Sequence, residues 1–151
     1  MTAADESWIE DATSRIQESG RRAGGARSAV IAQLAKETCA VSAENLEDSL
    51  VAEGRKVGRA SIYRALEALA AVGLVQRVDL GEGGSRWERV GSGPHHHHHL
   101  VCRTCGAVVP FEDDNLETAL HALGRKYGLT VESHDVTLHG LCPACATMQS
   151  K

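Results

Sequence analysis

Apolar positions in the first half of the chain recur at helical spacing. Trp8, Ile9, Ala12 and Ile16 form a first stripe, interrupted by Gly20 and the Gly24-Gly25 pair. Ala29, Val30, Leu34 and Ala35 continue in a second helix. Ser42 reads as the N-cap of a third, with Glu44 near its positive end, Leu46 and Leu50 facing inward, and Gly54 closing it. A fourth starts near Ala60, where Ile62, Leu66, Leu69 and Val72 make one stripe and Gly73 supplies the C-terminal cap. Its other face carries Arg59, Tyr63, Arg64 and Glu67. The period then changes to two, predicting strands over 74–80 and 85–90 around a GEGG turn. Helices followed by a small hairpin is the order of a winged helix-turn-helix, whose last helix enters the major groove of DNA.

GSGP at 91–94 reads as a linker. Beyond it, HHHHHLVC and AVVPF predict strands. Leu116, Leu120, Leu123 and Tyr127 share one helix face closed by Gly128, and LTVESHDVTLHGLC predicts a last strand. The expected fold class is therefore α+β. A winged-helix DNA-binding domain occupies 1–90, a hinge 91–94, and a small α/β domain with a four-cysteine site 95–151.

Composition sharpens this picture. Aromatic residues are only 3% of the 151, so any core must be aliphatic, and halves this small often need a metal or a partner subunit. No apolar run reaches 18 residues and the N-terminus is acidic, which predicts neither a membrane span nor a secretory signal and makes the cytoplasm the default. The net charge of -4 argues against binding nucleic acid by bulk charge. The charge is uneven, however: Arg55, Lys56, Arg59 and Arg64 fall in a stretch without acids, a place to look for phosphate contacts.

Cys102/Cys105 and Cys142/Cys145 form two C-x-x-C pairs. Four soft thiolates suit tetrahedral zinc, and each knuckle brings two of them to one ion with little chain cost. Iron held as in rubredoxin would fit a much shorter, aromatic-rich chain. Four protein ligands leave no position for water, so the site should hold the fold rather than do chemistry. Cys39 stands apart and reads as a small buried hydrophobe.

The histidine run 95–99 is internal and continues directly into LVCRTCG, unlike an expression tag. On a strand, side chains alternate faces, so His97 and His99 point one way, and His96 and His98 the other. One strand can thus serve two metal sites beyond the all-cysteine one. Glu88, at the end of the hairpin, is a candidate ligand to join His97 and His99, with Asp79 as another. Glu117 and His134 are candidates for the opposite face; His121 and His139 read as bystanders.

VSAENL, GRASIYRALEALAAVGLV, HHHHHLVCRTCG, DDNLETAL, KYGLTVESHDVTLHGLC and CPAC, in this order, resemble the ferric uptake regulator (Fur) family of metal-dependent repressors. HHHHHLVCRTCG looks most like its zinc uptake regulator (Zur) branch. The resemblance implies a homodimer with an N-terminal winged helix and a C-terminal α/β dimerisation domain, binding a pseudo-palindromic double-stranded operator. By motif, Cys102, Cys105, Cys142 and Cys145 match its structural Zn2+ site, and His97, His99 and Glu88 its regulatory hinge site. His96, His98, Glu117 and His134 match an additional site in the dimerisation domain. Tyr63 and Arg64 match recognition-helix residues that touch DNA, and Arg27 a basic residue on an earlier helix; Arg59 and Ser61 are further candidate DNA contacts.

Some positions depart from the family pattern. Zinc-type relatives often have a cysteine before the histidine run and an aspartate in the first wing strand; here those places hold RVGSGP and Gln76. Some iron-type members use a histidine just before V-S-A-E, where this chain has Cys39-Ala40, with Cys39 a poorly placed replacement. The regulatory ion is read as Zn2+, with Fe2+ and Ni2+ as alternatives. A zinc-responsive repressor is the leading function. An iron, nickel or peroxide sensor of the same family, or a metal-storage protein without DNA binding, are the other readings, and no nucleophile–base pair suggests an enzyme.

Overall fold

The computed structural model describes residues 1–81, 84–90 and 97–149. The expected hinge 91–94, together with His95 and His96, lies outside the described residues. The chain divides into two compact units, Met1–Ser92 and Gly93–Lys151. No helix among the described residues is long and apolar enough to cross a membrane.

The first unit runs α1 (Ala3–Glu18), α2 (Gly25–Lys36), β1 (Val41–Ser42), α3 (Ala43–Ala52), α4 (Arg59–Ala71), β2 (Val75–Asp79) and β3 (Ser85–Arg89). α1 starts well before its apolar stripe because Thr2 and Asp5 cap it reciprocally. The Asp5 amide donates to Thr2 Oγ1 at 3.3 Å, and the Thr2 amide donates to the Asp5 carboxylate at 2.8 Å. Those bonds to Thr2, with Arg89 nearby, hold the Asp5 carboxyl below its ordinary pKa. Ser42 caps α3 by accepting from the Asn45 amide at 3.0 Å. α4 ends where Gly73 takes a φ of +71°. There the Gly73 amide donates to Ala70 O at 2.9 Å and the Leu74 amide to Leu69 O at 3.0 Å, a closure that turns the chain straight into β2.

The strand order is β1-β3-β2, and β1 pairs antiparallel with β3 through Val41↔Trp87 and Ser42↔Arg86. Two residues are too few to show a period, so β1 was not legible in the sequence. The core collects the stripes: Ile16, Val30, Ile31, Leu34, Leu46, Leu50, Ile62, Leu66 and Leu69 are each at most 1% exposed, and Trp87 joins them from β3. Each such side chain contributes about 1.5–3 kcal/mol by burial.

The second unit holds β4 (His98–Cys102), β5 (Val108–Phe111), α5 (Asp114–Lys126), β6 (Thr137–Gly140) and α6 (Pro143–Gln149). β4 is the central strand, antiparallel to β5 and parallel to β6. Only four residues of the long last strand expected from the sequence are extended in the sheet. The short α6 was not expected; Pro143 opens it, at a position where a helix makes no use of an N–H. α5 is capped by Asp113, which accepts from the Leu116 amide at 2.8 Å, yet it buries none of its residues. The chain after α5 folds back so closely that a Cβ on Gly124 would stand 2.5 Å from Val131 Cγ2. Leu100 lies directly opposite Val109 on one side and Leu138 on the other, and these three are 41%, 53% and 50% exposed. The sheet therefore shows solvent an apolar row.

Candidate metal centres and nucleic-acid face

The two cysteine knuckles meet at one end of the second sheet. The four sulfurs of Cys102, Cys105, Cys142 and Cys145 lie within 4.8 Å of one another, and all four residues are free thiols. Cys105 and Cys142 are 3.8 Å apart, matching the roughly 3.8 Å that two thiolates span on tetrahedral zinc with bonds of about 2.3 Å. Backbone amides of Cys105 and Cys142 lower the Cys102 thiol to about 6, and the Cys142 amide donates to its sulfur at 3.3 Å. Cys145 is pushed up to about 12, first by its hydrogen bond with Cys142 and then by burial. The donor set fits a closed four-thiolate metal site.

A second cluster sits at the other end of β4. His98 Nε2 lies 2.7 Å from one oxygen of Glu117 and His134 Nε2 lies 2.9 Å from the other, so one carboxylate in the first turn of α5 bridges two imidazoles. The His98 side chain is 1% exposed, and its ring lies tilted 5.4 Å from that of Phe111, its direct partner on β5. Three donors within 4.8 Å fit a nitrogen-rich divalent-metal site. His96 lies outside the described residues. His121 is drawn close: its Nδ1 lies 2.8 Å from Glu117 O and its ring 5.9 Å from that of His134.

The candidates for the hinge site divide between the units. In the second, the His97 and His99 rings meet edge-on at 5.0 Å. In the first, Glu88 is buried in β3, with Gln76 Nε2 3.5 Å from its carboxylate. Cys39 is half-buried, and its sulfur lies within 4.8 Å of a Glu88 oxygen. The structure does not bring Asp79 to Glu88. Asp79 pairs with Ser85 while Gln76 pairs with Glu88, three steps and about 10 Å along β2. Instead Asp79 accepts from the Gly81 amide at 3.0 Å and shapes the wing turn.

The candidate DNA contacts fall on α2 and α4. Arg27, Ser61 and Arg64 line one cleft of about 480 Å³ together with Arg21 and Arg22. Arg64 Nη2 donates to Ser61 Oγ at 3.1 Å, and Arg27 donates to Arg22 O. The N-caps of α2 and α4 are Gly24 and Gly58, without side-chain caps and without acids in the first turn. Their leading amides are free of an internal competitor, the arrangement that receives phosphate. Tyr63 is 40% exposed on α4. Arg59 is differently placed: it pairs with Glu47 at 2.6 Å and Glu44 at 4.0 Å on α3, which raises its pKa and ties the two helices together. Arg21 and Arg22 were missed by the sequence reading; two adjacent arginines ahead of Gly24-Gly25 were the available signal.

Comparison with known proteins agrees with this layout. Residues 18–139 match the model of the Ferric uptake regulator family. The ferric uptake regulation protein of Bacillus subtilis (strain 168) is 37% identical, over 72% of this chain and 79% of its own length. The crystal structure of the Vibrio cholerae ferric uptake regulator is similar at a TM-score of 0.71 and 34% identity, covering 84% of this chain and 96% of that one. The Helicobacter pylori ferric uptake regulator, whose structure is described as revealing three functional metal binding sites, gives a TM-score of 0.80 at 25% identity, covering 94% and 93%. Since the family match runs through both units, taking in the helices of the first and the Cys102/Cys105 knuckle of the second, the chain belongs to the Ferric uptake regulator family and is a metal-responsive transcriptional regulator, not an enzyme.

Proposed function

We propose that this regulator is a zinc-responsive repressor, acting in the cytoplasm as a homodimer on a pseudo-palindromic operator. Residues 1–90 bind DNA, 91–94 act as the hinge, and 95–151 dimerise. The donor chemistry carries the zinc reading: each metal-ligating cluster of the described residues includes thiol or imidazole, and none is built of oxygen alone. Cys102, Cys105, Cys142 and Cys145 would hold structural zinc. Glu88, His97 and His99 would hold the regulatory ion, and His98, Glu117 and His134 a further one, with His96 as an added donor. With an ion bound, Glu88, His97 and His99 would supply its carboxylate and imidazole donors, and loading would favour the form in which the two recognition helices of a dimer match two half-sites.

Within the first unit, Arg21, Arg22, Arg27 and Arg64 would take backbone phosphates at the open ends of α2 and α4, and Tyr63 would meet a base edge. Arg59 can join them only by leaving Glu47. The exposed row Leu100, Val109 and Leu138 supports self-association, since monomers seldom leave such rows in water. The names of the relatives favour an iron-responsive reading as the alternative.

The test is operator affinity of the purified dimer across titrations of Zn2+, Fe2+ and Ni2+, with elemental analysis of what it carries. The expected result is a zinc-driven gain of about 5–150-fold, corresponding to about 1–3 kcal/mol of coupling, lost in His97→Ala/His99→Ala while the four-cysteine zinc remains. A gain with Fe2+ at lower free concentration than with Zn2+ would replace the zinc reading by the iron one. Full metal response in the double variant would remove the histidine pair from the regulatory site.

A further inference from the structure

We propose that Arg59 reads a guanine in the major groove, and that Glu47 orients it for the purpose. This rests on the reading of α4 as the recognition helix, and adds to it a base contact and a positioning residue on α3.

Arg59 is the first residue of α4, directly after Gly58, which caps the helix without a side chain. A cation there works against the positive end of the helix dipole, so the stability of α4 gives no reason for it. The N-terminal residues of a recognition helix are the ones that meet base edges. Tyr63 follows one turn later, at i+4, on the same exposed side of the helix and away from the buried stripe of Ile62, Leu66 and Leu69.

The guanidinium is held by one edge. Nε donates to Glu47 Oε2 at 2.7 Å, and Nη2 reaches the same oxygen at 2.6 Å. Glu44 Oε1 stands farther off, 4.0 Å from Nη2. A single carboxylate oxygen thus takes the side edge of the fork. Nη1 makes no hydrogen bond among the described residues, so the end edge, Nη1 with the second hydrogen of Nη2, is open. That edge can donate in parallel to O6 and N7 of guanine, the base whose major-groove edge offers two such acceptors.

A phosphate and a base edge ask for different things. The Arg59–Glu47 pair has no net charge, so it adds little to the attraction of a uniformly anionic backbone. A base edge asks for direction. The Arg59 side chain is 52% exposed, and without a partner it would sample many rotamers that binding must then freeze. Glu47 sits on α3, which packs against α4, so its carboxylate is fixed relative to the recognition helix. It presets the fork while keeping clear of the end that reads. Glu47 is a positioning residue; it does not touch the base.

The full-length protein, loaded with the metal ion that tightens its DNA binding, selects duplexes from a randomised pool. Affinity is then measured for the selected duplex and for each single base-pair change in it, at several salt concentrations. Arg59→Ala should lose about 5–150-fold for each half-site engaged, with discrimination lost at one G·C pair and kept at the others. Arg59→Lys keeps the ion pair but lacks the fork, so it should hold its Tm and lose most of the same preference. Glu47→Gln should weaken that preference about 2–10-fold. Arg59→Ala/Glu47→Gln leaves the net charge unchanged, and should lose the preference while the salt dependence of binding to random-sequence DNA stays that of the wild type. A uniform loss in Arg59→Ala across all base changes, with a shallower salt dependence, would make Arg59 a phosphate contact and overturn the proposal. Unchanged preference in that variant overturns it equally, and unchanged preference in Glu47→Gln overturns the part assigned to Glu47. Failure of the wild type to enrich any sequence overturns the reading of α4 itself. Should Arg59→Ala lower the Tm, Arg59→Lys still decides, because a role confined to joining α3 to α4 would leave its base preference intact.

Discussion

The two units of this chain solve the problem of staying folded in different ways. Unit one gathers nine large aliphatic side chains at 1% exposure or less from four helices. In the second unit, the buried residues among those described are His98, His99, Val101, Cys102 and Cys145, of which only His98 reaches 1%, and α5 buries nothing. Ordinary hydrophobic closure holds the first unit, whereas most of the buried groups of the second are ones able to ligate metal. Where a small unit holds a metal through such groups, binding and stability are linked.

Breaking the contrast at its strongest point means removing a knuckle. Cys102→Ser should lose the four-cysteine metal and unfold the second unit, since structural zinc in small domains contributes about 10–16 kcal/mol. The helical signal of the first unit should persist, and zinc content with far-ultraviolet circular dichroism checks both halves of that statement. Leu66→Ala attacks the other side. A side chain at 0% exposure in the α4 stripe should cost about 2–5 kcal/mol in denaturant unfolding while leaving the zinc stoichiometry unchanged. Gly124→Ala sharpens the picture of the second unit, because the added methyl would stand 2.5 Å from Val131 and 2.9 Å from Leu129 O. A loss of about 1–3 kcal/mol is expected, read as a lower Tm with DNA contacts untouched. The smallest effect on the fold is expected from Leu138→Asp. As a half-exposed residue it should alter subunit stability by under about 0.5 kcal/mol, yet weaken self-association about tenfold or more by sedimentation.

How much of this was legible in the sequence follows the same division. The stripes of α2, α3 and α4, and the glycines that end the last two, are local signals, so the helices of the first unit could be read directly. The C-x-x-C pairs were legible because each ligand pair is adjacent in sequence. What escaped depends on distant partners. β1 exists because Trp87 and Arg86 pass beside Val41 and Ser42. Asp79 and Glu88 look equivalent in a list of hairpin acids, and only the strand register separates them. Arg59 reads as a free cation until Glu47 on the preceding helix is seen to hold it. Cys39 looked like a small hydrophobe because its neighbour, Glu88, comes 49 positions later. The alternation of β4 was legible. That His98 meets Glu117 and His134 rather than solvent needed α5 and the segment before β6.

The middle place of β4 in its sheet bears on how a homopolymer can be used as an instrument. Five identical imidazoles carry little address: slide the run by one residue and an imidazole still stands at four of the five places. Flanking strands on both sides, keyed to Leu100, Val101 and Cys102, supply the coordinates that the run itself lacks. A gain or loss of a single histidine between Pro94 and Leu100 would barely alter the composition. It would move no residue from Leu100 onward in the ladder.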